Sequence, residues 1–335
     1  MKRFQLSRIV SPQLLALAGV LLFNWLVFPG FFDVTWQDGR LFGSMIDVIN
    51  RGAPVAILAI GMTAIIATKG VDLSVGAVMA VAGAVAATCA VAGQPLIVTL
   101  IAALVCGLIC GLWNGALVAY LGIQPFVATL VLMVAGRGVA QLITEGSIVT
   151  FSDPALIFVG TGSVLGLPMP AVIAIVLMIV AHLVMRRTAI GLFIEAIGTN
   201  LSAANYTGLR SRALMMCIYA FGGFCAAIAG VIAAADIRGA DANNAGLWLE
   251  LDAILAVVIG GTSLLGGRFS IPMSVLGAVI IQAMNTGVLV SGFPPEFNLI
   301  VKAGMIIIIL VLQSARIAQA LGRKFGPRQT SEQTR

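Results

Sequence analysis

The sequence predicts an all-α polytopic membrane protein. Of the 335 residues, 60% are hydrophobic and 10% are charged, and the mean hydropathy is +1.09. Apolar runs of roughly 18 residues or more, long enough to cross a bilayer as a helix, recur along the chain. They do not alternate polar and apolar residues as barrel strands do, so we expect the spans to be helices. The composition excludes a water-soluble, a disordered and a coiled-coil protein.

About ten transmembrane helices are expected, because each apolar run of about twenty residues can form one span. In chain order the predicted spans are 12–29, 52–68, 73–92, 96–121, 125–143, 169–186, 213–235, 251–266, 271–290 and 299–313. The chain then divides into a segment 1–11, a transmembrane domain 12–313 with a long connection at 188–212, and a tail 314–335. Most Lys and Arg residues fall on one side when the amino and carboxyl termini are both cytoplasmic, as the positive-inside rule requires.

The sequence lacks the residues that most enzymes need. It contains no GxxxxGK[ST] phosphate loop, so we do not expect it to bind ATP by that route. His182 is the only histidine, which leaves no histidine-rich metal site. We see no GxSxG motif and no paired carboxylates deep in a span, so we predict no catalytic residue, no metal ligand and no enzyme activity. The basic residues lie between the spans, so they do not indicate nucleic-acid binding.

The apolar run is broken at residues 69–76, between the second and third predicted spans. This segment, KGVDLSVG, contains Asp72 and Ser74 and ends at Gly76. An ionised Asp at membrane depth is costly, so it normally faces protein or water. Two interpretations are open. The polar residues cap a helix near the cytoplasmic face, or the segment is a broken helix that lines a pathway.

Three glycines recur at four-residue spacing in the fourth predicted span. Gly107, Gly111 and Gly115 let a neighbouring helix approach closely, so this spacing predicts tight helix packing. Asn114 lies beside these glycines. As an alternative to a packing role, it would line a path through the protein.

The cytoplasmic connection 188–212 is the most informative loop. Glycines punctuate it at 191, 198 and 208, and either Thr199 or Asn200 can cap a short helical stretch that follows. An exposed short helix without catalytic residues suits the docking of a partner protein. A solvated loop with no partner is the alternative.

Four motifs occur in the order found in sugar ABC importer permeases. They are GVDLSVGA (70–77), NGALVAYLGIQPFVATL (114–130) followed by GRG (136–138), EAIGTNLSAANYTGL (195–209) and ELDAILAVVIGGTSLLGGRF (250–269). Over nearly its full length the chain resembles the permeases of the ribose, xylose, arabinose and galactose group. The stretches 37–44, 237–261 and 284–296 resemble the galactofuranose-importing subgroup. Ribose-type permeases usually have glycine where this chain has Lys69.

The resemblance implies a fold, a location and partners. The fold is the type II (vitamin B12-importer-like) ABC permease arrangement in the bacterial inner membrane. The partners are a second, similar permease chain that completes a heterodimer, a cytoplasmic double ATPase that binds ATP and Mg²⁺, and a periplasmic sugar-binding protein. No cofactor is expected on this chain. The cargo is expected to be a monosaccharide, foremost galactofuranose, with another pentose or hexose such as ribose or fructose as the alternative.

Three sets of residues are predicted to carry this function. The loop 195–209 matches the family's coupling helix, and its predicted coupling residues are Glu195, Gly198, Thr199, Asn200, Ala203 and Gly208. Complementary charge orients protein encounters, so the outside acids are expected to meet the binding protein: Asp236, Asp241, Glu250 and Asp252. The predicted pathway residues are Asp72, Ser74, Asn114, Phe126, Thr129 and Asn285.

Two other transporter classes are less favoured by the sequence. An ATP-independent secondary sugar carrier would be expected to show inverted repeats and an ion or proton site at the membrane midplane. A channel would be expected to show a ring-forming filter motif. We recognise none of these features in the sequence.

Overall fold

A computed structural model describes residues 12–37, 39–292, 294, 297 and 299–304. The α-helices are α1 Pro12–Val27, α2 Ser44–Ala67, α3 Val75–Val91, α4 Leu96–Ala119, α5 Pro125–Ile143, α6 Pro154–Thr161, α7 Met169–Arg187, α8 Ala189–Thr199, α9 Leu201–Tyr206, α10 Ser211–Ile237, α11 Leu249–Ile259 and α12 Ile271–Val290. These helices belong to one compact unit that ends at Ser291. A second unit begins at Gly292, and its described residues are helical at 299–304.

Short antiparallel strand pairs occupy some of the connections. β1 (Thr35–Gln37) pairs with β2 (Arg40–Phe42), and β4 (Ser163–Val164) pairs with β5 (Leu167–Pro168). β3 (Val149–Thr150) pairs with β6 (Gly239–Ala240), so the loop after α5 is joined to the end of α10.

Within the described residues, six helices are long and apolar enough to cross a membrane: α2, α4, α5, α7, α10 and α12. The predicted all-α, polytopic class is therefore confirmed. Helices α1 and α3 also form where spans were expected, with 16 and 17 residues respectively. The last predicted span, 299–313, lies partly outside the described residues, and the total of ten spans stays a prediction.

Two predicted spans are wrong in extent. The span expected at 251–266 is a helix only to Ile259, because the chain turns at Gly260 and at Gly261, which has a φ of +87°. A helix of 11 residues is about 16 Å long, well short of a hydrocarbon core of about 30 Å. The span expected at 52–68 begins earlier, at Ser44, and its first turns include the polar Asp47.

Helix α10 lies at the centre of the first unit and packs against α4, α2 and α3. The contact with α4 uses the predicted glycine stripe. A Cβ at Gly111 would overlap the carbonyl oxygen of Tyr219 and lie 2.8 Å from Cα of Ala220, and a Cβ at Gly115 would lie 2.8 Å from Cα of Met216. The predicted tight packing is confirmed, because the backbones of α4 and α10 approach so closely that only glycine fits.

Two short helices begin side by side inside the unit. The start of α3 contacts the turn before α11, where a Cβ at Gly246 would lie 2.8 Å from Cα of Gly76. Further along α3, Met79 contacts Gly230, so α3 begins beside the middle of the 27-residue α10 rather than at its end. The polar segment 69–76 therefore runs from Lys69, which is hydrogen bonded to the end of α8, to the start of α3 beside α10. The cap near the cytoplasmic face and the broken helix that lines a pathway both stay predictions.

Candidate functional site

The connection 188–212 folds into two helices with a sharp junction. The Thr188 hydroxyl caps α8 by accepting a hydrogen bond of 3.3 Å from the Ile190 N–H. Asn200 ends α8, and its Oδ1 accepts a 3.0 Å hydrogen bond from the N–H of Ala203, which caps α9. Of the two predicted caps, Asn200 is the one used. Gly208 follows α9 with a φ of +84°, a conformation that favours glycine.

Helix α8 was not predicted from the sequence, and its residues lie in the expected connection 188–212. Its signal is the apolar spacing of Ile190, Ile194 and Ile197, which is typical of a helix with one buried face. Ile194 and Ile197 are fully or almost fully buried, at 0% and 2% exposure. The amphipathic pattern therefore places α8 flat against the rest of the unit.

The end of α8 is fixed to the end of α2 and to the loop after α11. A Cβ at Gly198 would overlap the carbonyl oxygen of Ala67 and would lie 2.6 Å from the nitrogen of Gly267. That same carbonyl oxygen accepts a 2.9 Å hydrogen bond from the Gly267 N–H. The Nζ of Lys69 donates a 3.2 Å hydrogen bond to the carbonyl oxygen of Thr199. Three segments distant in sequence thus meet at Gly198.

The predicted coupling residues divide into anchored and exposed groups. Gly198 is buried, and Glu195 is partly buried. Thr199, Asn200, Ala203 and Gly208 are exposed. Tyr206, at the end of α9, has 92% of its surface exposed, and Leu201, at its start, has 43%. Helix α9 is therefore a capped helix that presents apolar and polar side chains outward from an anchored base.

Four of the six predicted pathway residues form one buried polar cluster. One carboxylate oxygen of Asp72 accepts hydrogen bonds from the N–H and the hydroxyl of Ser74, at 2.8 and 2.6 Å. Nδ2 of Asn114 donates to the Ser74 hydroxyl at 2.8 Å and to Asp72 at 3.4 Å. Thr129 Oγ1 accepts from the N–H of Leu73 at 3.2 Å. The broken segment is thereby held between α4 and α5.

The cluster is closed in this structure. Asp72 is 2% exposed, and Ser74, Asn114 and Thr129 are 0% exposed. Oδ1 of Asn114 is buried without a hydrogen-bond partner, as is the hydroxyl of the nearby Tyr219, which contacts Gly70. Tyr219 was not among the predicted site residues. A tyrosine hydroxyl inside the predicted span 213–235 was the signal that could have identified it.

The other two predicted pathway residues lie elsewhere. Phe126, on the first turn of α5, is 50% exposed. Asn285 lies on α12 and its Nδ2 donates to Oε1 of Gln282 at 3.5 Å. The structure does not bring either side chain into the cluster around Asp72.

The four predicted outside acids do not form one surface. Asp241 accepts hydrogen bonds from the N–H groups of Asn243 and Asn244, at 3.0 and 3.2 Å, and from Nδ2 of Asn244 at 2.7 Å. The Asn244 side chain, more than any other group, holds the pKa of Asp241 below its ordinary value. Asp252 is only 4% exposed and so offers nothing to a docking protein in this structure, which corrects that prediction.

The remaining two acids have separate surroundings. Asp236 lines a cavity of about 150 Å³ together with Arg40 and Asp47. Glu250 is partly buried, and a Cβ at Gly76 would lie 2.7 Å from its Oε2. It therefore sits where α3 and α11 begin.

Arg137 organises the loop before α11 and was not among the predicted site residues. Its Nη1 donates hydrogen bonds to the carbonyl oxygens of Ala242 and Ala245, at 2.9 and 2.6 Å. Nε2 of Gln141, one turn further along α5, donates to Oδ1 of Asn243 at 2.7 Å. An arginine inside a predicted span was the sequence signal, because a charge there is retained only with partners.

Comparison with known proteins adds to this geometry. The family model described as "Branched-chain amino acid transport system / permease component" matches residues 44–310. The galactofuranose transporter permease protein YtfT of Escherichia coli is 63% identical over 305 residues, covering 91% of this chain and 89% of that protein. The fructose import permease protein FruF of Bifidobacterium longum is 42% identical, covering 86% and 82%. The ribose import permease protein RbsC of Haemophilus influenzae is 35% identical, covering 92% and 94%.

The chain therefore belongs to this family of transport-system permease components. No solved structure matches it significantly. Within the family it belongs with the sugar permeases of ABC importers, as the sequence motifs had predicted.

Proposed function

We propose that this chain is a transmembrane subunit of an ATP-binding-cassette importer that carries galactofuranose into the cytoplasm. The identity of 63% over 91% of the chain to a galactofuranose transporter permease is the observation that carries the proposal. Identity falls to 42% and 35% for the fructose and ribose permeases, which ranks those sugars as alternatives. The chain itself carries out no covalent chemistry, and a partner ATPase binds and hydrolyses ATP with Mg²⁺.

The proposed setting is the bacterial inner membrane, with ten spans in the type II arrangement and both termini in the cytoplasm. The positive-inside distribution of Lys and Arg supports this orientation. It puts α8 and α9 on the cytoplasmic side, together with Lys69 and Gly267, which they contact. It puts the pairing of β3 with β6 on the opposite, periplasmic side.

In this orientation α8 and α9 form the coupling element that docks on the ATPase. Helix α9 suits the role because it is exposed, capped at Asn200 and free of catalytic residues. The contact of Gly198 with Ala67 also suits the coupling role, because a displacement of α8 displaces the end of α2 directly. Each partner can bias the permease only by its differential affinity for the outward-open and inward-open states.

The periplasmic side is proposed to receive the sugar-binding protein. Asp236 and Asp241 are at least partly exposed there and carry charge that can orient an encounter. A second, similar permease is proposed to complete a heterodimer around the pathway. The pathway role of Asp72, Ser74, Asn114, Phe126, Thr129 and Asn285 remains a prediction.

The test is ATP-driven uptake of labelled galactofuranose, fructose and ribose into proteoliposomes that contain both permeases, the ATPase and the binding protein. Asn200→Ala removes the cap of α9, whereas Asn200→Asp keeps an oxygen acceptor and is the matched control. We expect galactofuranose uptake in the wild type, a loss in Asn200→Ala and near-normal uptake in Asn200→Asp.

Two results would contradict the proposal in different ways. Uptake that proceeds without the ATPase would identify a secondary carrier. ATP-dependent uptake of fructose or ribose in preference to galactofuranose would keep the importer and replace its cargo.

A further inference from the structure

A cavity of about 410 Å³ lies between the end of α4 and the turn that joins α9 to α10. Tyr120, the residue that ends α4, lines one side, and Asn205 together with the run 209–213 lines the other. The predicted coupling residues do not line this cavity, although α9 forms part of its wall. Its chemistry is therefore separate from the docking role proposed above.

The lining of the cavity is rich in hydrogen-bond donors and has no carboxylate. Arg210 and Arg212 both contribute to it, and both are exposed. Neither guanidinium has a hydrogen-bond or ion-pair partner among the residues that the structure describes. The Ser211 hydroxyl donates to Oδ1 of Asn205, which leaves the Asn205 amide N–H groups as further donors. The Tyr120 hydroxyl adds one more, so the cavity suits an anion with several oxygens.

The cavity lies at the end of an exposed apolar face of α4. Buried residues follow the contact of α4 with α10, at 99, 103, 107, 111 and 115. On the other side of the helix the exposed residues are Ile97, Ile101, Val105, Ile109 and Trp113, each between 45% and 71% exposed. This apolar face leads to Tyr120, which is 52% exposed, and to Leu121, which is 69% exposed.

We propose that the cavity binds the phosphate of an anionic phospholipid whose acyl chains lie along the exposed face of α4. Arginine recognises phosphate oxygens in a bidentate manner, and tyrosine is enriched at the level of lipid head groups. Basic pockets beside membrane helices on the cytoplasmic side are suited to anionic head groups. The bound lipid joins α4 to the α9–α10 turn, so it steadies the base of α9 from the membrane side.

The experiment uses the assembled transporter in detergent micelles and native mass spectrometry. Dioleoylphosphatidylglycerol is titrated in, with dioleoylphosphatidylcholine and inorganic phosphate as separate arms. The test variant is Arg210→Gln with Arg212→Gln. The matched control is Arg187→Gln with Arg268→Gln, which removes the same charge from two exposed arginines that do not line the cavity. A third variant, Arg210→Lys with Arg212→Lys, keeps the charge and checks folding.

We expect the wild type to retain phosphatidylglycerol in preference to phosphatidylcholine. The test variant should lose about 30-fold in affinity, as for two basic side chains at an anionic surface. The control pair should match the wild type, and the lysine pair should recover part of the loss.

Several results would overturn the proposal. Equal losses in the test and control variants would indicate a general effect of surface charge, and unchanged binding in the test variant would place the lipid elsewhere. Displacement of the lipid by an equal concentration of inorganic phosphate would indicate a free-anion site. Binding of the lipid to the two permeases alone, but not to the transporter assembled with the ATPase, would assign the cavity to protein docking.

Discussion

The side chain of Lys69 is hydrogen bonded to the backbone of Thr199, with 3.2 Å between Nζ and the carbonyl oxygen. The bond joins the second residue after α2 to the junction of α8 and α9, across 130 positions of sequence. Lys69 has a φ of +65°, a left-handed conformation that glycine adopts without steric cost. Lysine therefore carries a backbone cost at this position and gains the hydrogen bond to Thr199.

Two substitutions of Lys69 separate the backbone strain from the hydrogen bond. Lys69→Met loses the bond and keeps a side chain in the left-handed region, which costs about 1–2 kcal/mol. Lys69→Gly loses the bond and relieves that strain. We expect Lys69→Gly to unfold at the same temperature as Lys69→Met or a higher one in a thermal melt of the purified permease. ATP-driven uptake should fall in both variants, because both uncouple α2 from Thr199. A glycine variant less stable than the methionine variant would contradict the role of strain.

Gly198→Ala is expected to destabilise the protein by about 1–3 kcal/mol, the usual cost of overpacking. The added methyl would overlap the carbonyl oxygen of Ala67 and press on the nitrogen of Gly267, both of which are backbone atoms. Gly138→Ala is the matched control, because nothing lies within 4 Å of a Cβ there and its helix is otherwise regular. The thermal unfolding temperature and the rate of ATP-driven uptake should both fall in Gly198→Ala, and neither should fall in Gly138→Ala. The control should be unchanged or up to about 1 kcal/mol more stable, from helix propensity.

We expect the protein to lose less stability when the Asn114 amide is removed than when it is replaced by a second carboxylate. Asn114→Leu removes donors to Ser74 and Asp72 at a cost of about 1–3 kcal/mol, because the Ser74 bonds to Asp72 remain. Asn114→Asp puts a like charge beside the buried Asp72, so we expect a larger loss. The measurement is the denaturation midpoint of the Asn114→Leu and Asn114→Asp variants at neutral pH. A more stable aspartate variant would mean that the two carboxyl groups share a proton instead of repelling each other.

Arg137→Gln is expected to loosen the loop 241–248. The substitution removes both hydrogen bonds to the carbonyl oxygens of Ala242 and Ala245. Gln141→Ala is the control, because it removes one exposed hydrogen bond to the same loop, at Asn243. Hydrogen–deuterium exchange of the permease in nanodiscs should rise strongly over 241–248 in Arg137→Gln and slightly in Gln141→Ala. Equal exchange in the two variants would mean that strand pairing alone holds this loop.

The sequence predicted a helix well where one continuous apolar run marks both of its ends. The observed bounds of α4, α5, α7, α10 and α12 lie within two residues of the predicted spans, because each apolar run ends at polar, glycine or proline residues. The end of α11 and the start of α2 were missed. Apolar residues continue past Gly261 outside any helix, and polar Asp47 begins a helix that becomes apolar only later.

The site was only partly predictable because its contacts join distant segments. Asp72, Ser74, Asn114 and Thr129 could each be selected as polar residues in or beside apolar runs. Nothing in the sequence indicates that Asn114 donates to a hydroxyl 40 positions away. Nor does it indicate that Gly198 is confined by the backbone of Ala67. Composition selects residues of these kinds, and tertiary packing decides which of them meet.

The side-by-side starts of α3 and α11 have an electrostatic consequence. A helix carries about half a positive elementary charge at its amino terminus, and two such termini meet at Gly76 and Gly246, with the Arg137 guanidinium on the neighbouring carbonyl oxygen of Ala245. Glu250 brings a carboxylate to the same place. Asp252, also in the first turn of α11, adds a second carboxylate, so the two helix termini and the Arg137 guanidinium face two acidic side chains at one place inside the unit.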